Sequence, residues 1–335
     1  MTTVRVPHTV SATVTGSTLA SPVRLSPMKR GTRLAGALII ATSVVVACGS
    51  QGDDGSGGNG NGGGGGDLDG AFVTNGDGGG NGGNGGNGGN CSAPVDMFIM
   101  FDRSGSMGDD CTIGAGTNSK WCRSINALSG YFKSQGAANQ AAALQFFPLK
   151  SHTDSLCSSG NGYDVAAEPA TGYTALPTNA FDALLNSESP GGKSLGTPTE
   201  AAIRGLVRFT RGNRRGGRVT IGVLITDGDP NGCNENLGAL SALLAAHNKD
   251  TQIRTYVIGM EGASYDNLEA IAQGGAAPLH PDTVGGVTDA CGNGNGPCRH
   301  WNVGDGNPTV FAAALAAIQE SADGCKDGGG FVNPK

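Results

Sequence analysis

Three short, almost uninterrupted apolar runs constrain this chain most: residues 95–101 (VDMFIMF), 219–225 (VTIGVLI) and 253–260 (IRTYVIGM), with a weaker fourth at 143–147 (ALQFF). Runs of this length, rich in Val, Ile and Phe, read as strands covered on both faces, because a half-exposed strand would alternate with polar residues. Between them apolar residues recur at helical spacing, at Ile125, Leu128 and Phe132, then Ile203, Leu206 and Val207, then Leu237, Leu240 and Leu244, and finally Phe311, Leu315 and Ile318. Strand and helix alternate. The expected fold class is therefore α/β: a single domain with an open, doubly wound, mostly parallel sheet, right-handed crossovers and helices on both faces. In such sheets ligands bind where the carboxyl ends of the strands feed the loops.

Two stretches exceed a minimal version of that fold. Residues 148–178 are long and polar and read as a hairpin with an edge strand, and residues 279–299 read as an inserted loop before a last strand at 300–303. The arginines 204, 208, 211, 214, 215 and 218 read as a solvated helix face and turn.

The chemistry-bearing residues fall at the expected edge. Directly after the first run comes Asp102-Arg103-Ser104-Gly105-Ser106-Met107, whose alternate residues offer a carboxylate and two hydroxyls from one tight loop. Thr197 stands before the second helix, and Asp227 follows the 219–225 run in Thr226-Asp227-Gly228. Hard oxygen donors of this kind suit Mg²⁺ or Mn²⁺. Thr197 also reads as the first member of a capping box, with Pro198 at the first helical position and Glu200 three residues on.

With Asp102, Ser104, Ser106, Thr197 and Asp227 in this order, residues 95–322 resemble the von Willebrand factor A (VWA) domain with its metal-ion-dependent adhesion site (MIDAS). The resemblance implies that the hydroxyls of Ser104, Ser106 and often Thr197 touch the metal while Asp102 and Asp227 act largely through water. It implies a position open to an acidic group of a partner. The run Met107-Gly108-Asp109-Asp110 also resembles the integrin β-subunit version, which feeds an adjacent Ca²⁺ site through Asp109 and Asp110. A solvated acidic loop is the competing reading of that pair. Enzymatic readings find little support: no Gly-x-Ser-x-Gly elbow is built around Ser106, since Gly105 precedes it directly, and the five histidines, at 8, 152, 247, 280 and 300, lie outside the three loops. A metal-dependent phospho-hydrolase on a related α/β fold, or a passive structural envelope lipoprotein, stand as alternatives to a non-enzymatic adhesion module.

Upstream, residues 34–47 form an apolar run preceded by Lys29, Arg30 and Arg33, too short to span a bilayer and in keeping with an export signal. It ends in Val45-Val46-Ala47-Cys48, which resembles the lipobox of bacterial lipoproteins and makes Cys48 the expected lipidation site. Residues 1–47 are thus read as signal peptide, with 1–27 an over-long start. Residues 48–90, dominated by Gly and Asn, are a tether with an r.m.s. reach of roughly 35–40 Å. The folded domain follows at 91–325, and 326–335 is a tail. The expected location is the cell envelope, on an outer membrane where the cell has one, since Gly49 follows the cysteine. Loss of residues 1–47 removes five basic and no acidic residues from a chain with 22 basic and 28 acidic, leaving −11. That charge disfavours nucleic acid. The resemblance to the VWA domain implies a protein or surface polymer presenting a carboxylate as the partner, with the membrane touched through the lipid alone.

Eight cysteines remain beyond Cys48, and an exported chain makes disulfides the default. In a doubly wound sheet the last helix ends at the edge where strands begin, which pairs Cys91 with Cys325. Cys111–Cys122 and Cys291–Cys298 are then clasps within loops, and Cys157–Cys233 is the remaining pair.

Overall fold

The computed structural model of the chain describes residues 93–116, 118–167, 172–191 and 196–322. The proposed signal, tether, Cys48, the Cys91–Cys325 pair and the tail lie outside them. Strands β1 (Val95–Asp102), β2 (Ala141–Phe147), β3 (Thr174–Ala175), β4 (Val219–Thr226), β5 (Arg254–Gly259) and β6 (Trp301–Asn302) form one sheet in the order β3-β2-β1-β4-β5-β6. All neighbours are parallel except β3, which pairs antiparallel with β2 at the edge. Every residue of β1 is buried, as a central strand of a covered sheet requires.

Helices α1 (Lys120–Lys133), α2 (Asp182–Ser187), α3 (Thr199–Gly212), α4 (Leu237–Thr251), α5 (Tyr265–Gly274) and α6 (Pro308–Ala322) cover the sheet. The pleat of β1 divides the core between its two faces. Phe101 stacks on Trp121 of α1 at 5.0 Å, while Phe98 points the other way and stacks on Phe209 of α3 at 3.9 Å. Helix α6 packs with α1, and α4 packs with both α3 and α5.

The chain leaves β1 toward β2 on one side and later reaches β4 on the other. The loops after β1 and β4 therefore diverge above adjacent strands, and that divergence opens the crevice in which such sheets hold ligands. Phe101 pairs with Ile225 in the β1–β4 register, so Asp102 and Thr226 end their strands side by side.

The basic cluster is largely the solvated face expected, with Arg208, Arg211, Arg214 and Arg215 exposed. It is also laced with ion pairs, Arg204 with Glu200, Arg208 with Asp164 and Arg211 with Asp250, and at its end Arg215 and Arg218 converge on the buried Asp96 of β1. A carboxylate buried in a central strand needs such partners, because desolvation of an unpaired charge is expensive. Helix α5 was not among the helices expected, although Tyr265, Leu268, Ile271 and Ala272 stand at helical spacing. The long stretch 148–178 does supply the antiparallel edge strand, and 279–299 forms a loop held by bridges between His280 and Cys298 and between Val284 and Val287.

Candidate metal centre

Asp102 is fully buried at the end of β1, and both its oxygens are engaged. Oδ1 accepts the backbone N–H of Ser104 at 2.7 Å, and Oδ2 accepts the hydroxyl of Thr226 at 2.6 Å. The first bond folds the chain back on itself, and a short 3₁₀ turn over Gly105–Met107 continues the bend, anchored by the buried Met107. Gly108 closes the turn at φ 101°, where a side chain would collide with Ser119.

This turn delivers the two serines to β4. Ser106 Oγ donates to Asp227 Oδ1 at 2.8 Å, and because its proton is so engaged it accepts from Ser104 Oγ, 3.0 Å away. Thr197 arrives from the third loop: a Cβ added to Gly228 would lie 3.4 Å from Thr197 Oγ1 and 3.8 Å from Ser106 Oγ. All five oxygen-bearing residues named from the sequence are thus gathered in one crevice, with Thr226 as an added support for Asp102.

Electrostatics marks the crevice as built for positive charge. Burial, and then the nearby Asp227, push the Asp102 carboxyl from its ordinary 3.8 up to about 7. Asp227 is 1% exposed, and its Oδ2 has no hydrogen bond among the described residues, although the ammonium of Lys120 stands 2.5 Å away. The donor set is entirely oxygen. Its spacing also fits: adjacent ligands of an octahedral ion with bonds of ~2.1 Å lie roughly 3.0 Å apart, as Ser104 Oγ and Ser106 Oγ do at 3.0 Å. These residues fit a hard divalent cation.

The capping box does not form. Helix α3 begins at Thr199 with Pro198 at its cap and no side-chain cap bond. Asn231 of the loop after β4 holds the Thr197 backbone instead, accepting its N–H on Oδ1 at 2.8 Å and donating its own N–H to the Thr197 carbonyl at 2.9 Å. This pairing keeps Thr197 outside the helix. It also requires Gly196, because a Cβ there would fall 2.0 Å from Asn231 Oδ1. Glu200 is drawn away from the cap to Arg204 and to the backbone N–H of Asn234.

Asp109 and Asp110 are exposed, and neither side chain joins a hydrogen bond or ion pair among the described residues. The four described histidines also lie elsewhere, His152 on Tyr163, His247 on Thr210, His280 against Trp301 and His300 on Glu269. Disulfides join Cys111 to Cys122, Cys157 to Cys233 and Cys291 to Cys298. The first ties the loop after β1 to α1, and the second ties the segment after β2 to the loop after β4. Sequence reasoning missed Thr226, Asn231 and Lys120. Thr226 alone carried a signal, as the hydroxyl neighbour of Asp227.

The profile of the von Willebrand factor type A domain matches residues 164–285. That span contains Thr197 and Asp227, whereas Asp102, Ser104 and Ser106 precede it. A comparison with curated proteins gives no match. Among solved structures, proximal thread matrix protein 1 from the mussel byssus aligns at 13% identity and a TM-score of 0.41, over 70% of this chain and 49% of that one. The same protein with a zinc-occupied MIDAS motif aligns at 15% and 0.39, over 70% and 46%. The pilus adhesin RrgA from Streptococcus pneumoniae aligns at 8% and 0.34, over 68% and 45%. The chain thus spans about half the length of these structures.

Proposed function

We propose that this chain, with a von Willebrand factor type A domain over residues 164–285, is a divalent-cation-dependent adhesion module of the cell envelope rather than an enzyme. The observation that carries the reading is the convergence of Asp102, Ser104, Ser106 and Asp227, through bonds of 2.6 to 3.0 Å, with the Thr197 hydroxyl beside them at the switch point between β1 and β4. A bound Mg²⁺ or Mn²⁺ supplies a positive centre that attracts a carboxylate of a partner.

The residues themselves do the positioning. Thr226 and the Ser104 amide hold Asp102 in one orientation, so its charge is fixed in place before any ion arrives. Few carboxylates stand in the crevice and most donors are neutral hydroxyls, which leaves an incoming acidic group strongly favoured. Asn231 and the Cys157–Cys233 bridge set the distance between the loops. Export and lipidation at Cys48 complete the reading: the lipobox-like sequence followed by a Gly/Asn tract suits a domain that must reach a ligand from a membrane.

Calorimetry tests the centre. The protein is expected to bind one Mg²⁺ or Mn²⁺, and Asp102→Ala to bind none; equal affinity in both would refute the assignment. Capture of a partner from envelope extract should require Mg²⁺ and be lost to chelator. Mass spectrometry should find acyl chains on wild type and none on Cys48→Ser.

A further inference from the structure

Lys120 occupies a position that its own helix disfavours. It is the first residue of α1, where the aligned peptide dipoles present positive charge, so a cation there is locally destabilising. The helix start is nonetheless firmly set: Ser119 caps it by accepting the Cys122 N–H at 3.1 Å, and Trp121 is fully buried beside Phe101. The ammonium is therefore aimed by the fold. It stands 2.5 Å from Asp227 Oδ2 and donates to the Glu261 carbonyl at 2.7 Å, in the loop after β5. Gly262, at φ 105°, leaves the approach clear, since a Cβ there would lie 3.4 Å from the ammonium and 3.0 Å from the Asp227 carbonyl oxygen. A residue placed against local preference, with its charge delivered to a binding crevice, is the kind of violation that functional sites retain.

We propose that Lys120 is a built-in cation of the metal centre, which limits metal affinity and gives the loaded site the net positive charge that selects an anionic partner group. This rests on the reading of the crevice as a metal centre. Asp102 and Asp227 are its two carboxylates and Lys120 its one ammonium. A divalent ion added to the two carboxylates alone would give neutrality; with Lys120 the loaded centre is positive by one charge. The ammonium repels the ion in proportion to the ion's own charge, so its cost is larger for a trivalent than for a divalent ion. Lys120 also neutralises Asp227 when no ion is bound, which spares the fold an uncompensated buried carboxylate.

The test uses the full chain as wild type, Lys120→Gln, Lys120→Met and Lys120→Arg, with Mg²⁺ followed by calorimetry and Tb³⁺ by luminescence. Lys120→Gln and Lys120→Met are expected to bind Mg²⁺ about tenfold more tightly than wild type, with a larger gain for Tb³⁺, while Lys120→Arg stays near wild type. Should the neutral variants be poorly folded without metal, Mg²⁺ is expected to raise their thermal midpoint by more than it raises that of wild type. Unchanged or weaker Mg²⁺ binding in both neutral variants, beside normal binding in wild type, overturns the role of Lys120. Absence of Mg²⁺ binding in wild type and in the neutral variants alike overturns the metal centre itself, and this inference with it.

Discussion

Ser106 Oγ donates to Asp227 Oδ1 at 2.8 Å across 121 residues of sequence, joining the loops that follow two adjacent strands. The same hydroxyl that clamps the loops is a donor oxygen of the proposed centre, so its removal separates the two roles by magnitude. Ser106→Ala is expected to cost about 1 kcal/mol of stability, as for an ordinary hydrogen bond. Its Mg²⁺ affinity should fall by a far larger factor, about tenfold or more. Denaturant titration and calorimetry on the same variant check both, and wild-type metal affinity would exclude Ser106 as a ligand.

Metal binding should depend on pH through Asp102, whose carboxyl burial and Asp227 push up to about 7. An ion must displace that proton, so Mg²⁺ affinity is expected to fall as pH drops below about 7, by up to about tenfold per pH unit. The stability of the metal-free protein runs the opposite way. The folded carboxyl titrates above its ordinary 3.8, so its contribution is greatest at low pH and is lost as pH rises from there to about 7. Calorimetry at pH 5.5, 6.5 and 7.5 in buffers of different ionisation enthalpy would register the released proton; a flat profile would refute the displacement.

Asn231→Ala should loosen the site without touching any proposed ligand. It removes the acceptor of the Thr197 N–H, and the cost is expected at about 1–2 kcal/mol because that donor is partly buried. Metal affinity should fall with it, as Thr197 is released from the other loops. Unchanged affinity, with stability reduced, would show that the Asn231 side chain does not position Thr197 for binding.

His247 sets a second pH dependence away from the site. Burial, and next Arg211, hold its imidazole down at about 4, and its Nδ1 has no hydrogen-bond partner among the described residues. A folded value below the ordinary one means that stability is intact above about 6.5 and is lost as pH falls toward about 4, on the order of 3 kcal/mol in all. Denaturation midpoints between pH 7 and 4 should follow this slope, and His247→Gln should flatten it.

Much of this architecture was legible because strands buried on both faces advertise themselves: the runs at 95–101 and 219–225 lack the polar alternation of exposed strands, and β1 and β4 are buried almost throughout. Helix α5 was equally legible, since Tyr265, Leu268, Ile271 and Ala272 stand at helical spacing, and it was passed over. The proposed metal ligands were readable since each follows a strand or precedes a helix. Lys120 and Asn231 were not, because their roles depend on which loops the sheet order brings together. The same applies to Arg215 and Arg218, whose partner Asp96 lies inside a strand that otherwise reads as apolar. The Thr197 capping signal was genuine as a local preference and lost to a tertiary one, the Asn231 clamp.

The placement of β1 has a mechanical consequence. Its first residue, Val95, and its last, Asp102, lie at opposite edges of the sheet, and parallel ladders to β2 and β4 flank it along its length. A partner pulling on the crevice while the chain is held upstream of Val95 would load this strand along its own axis. The hydrogen bonds on both sides would then resist sliding together instead of opening one after another, so under the proposed tethered reading the load would be carried in shear by both ladders at once.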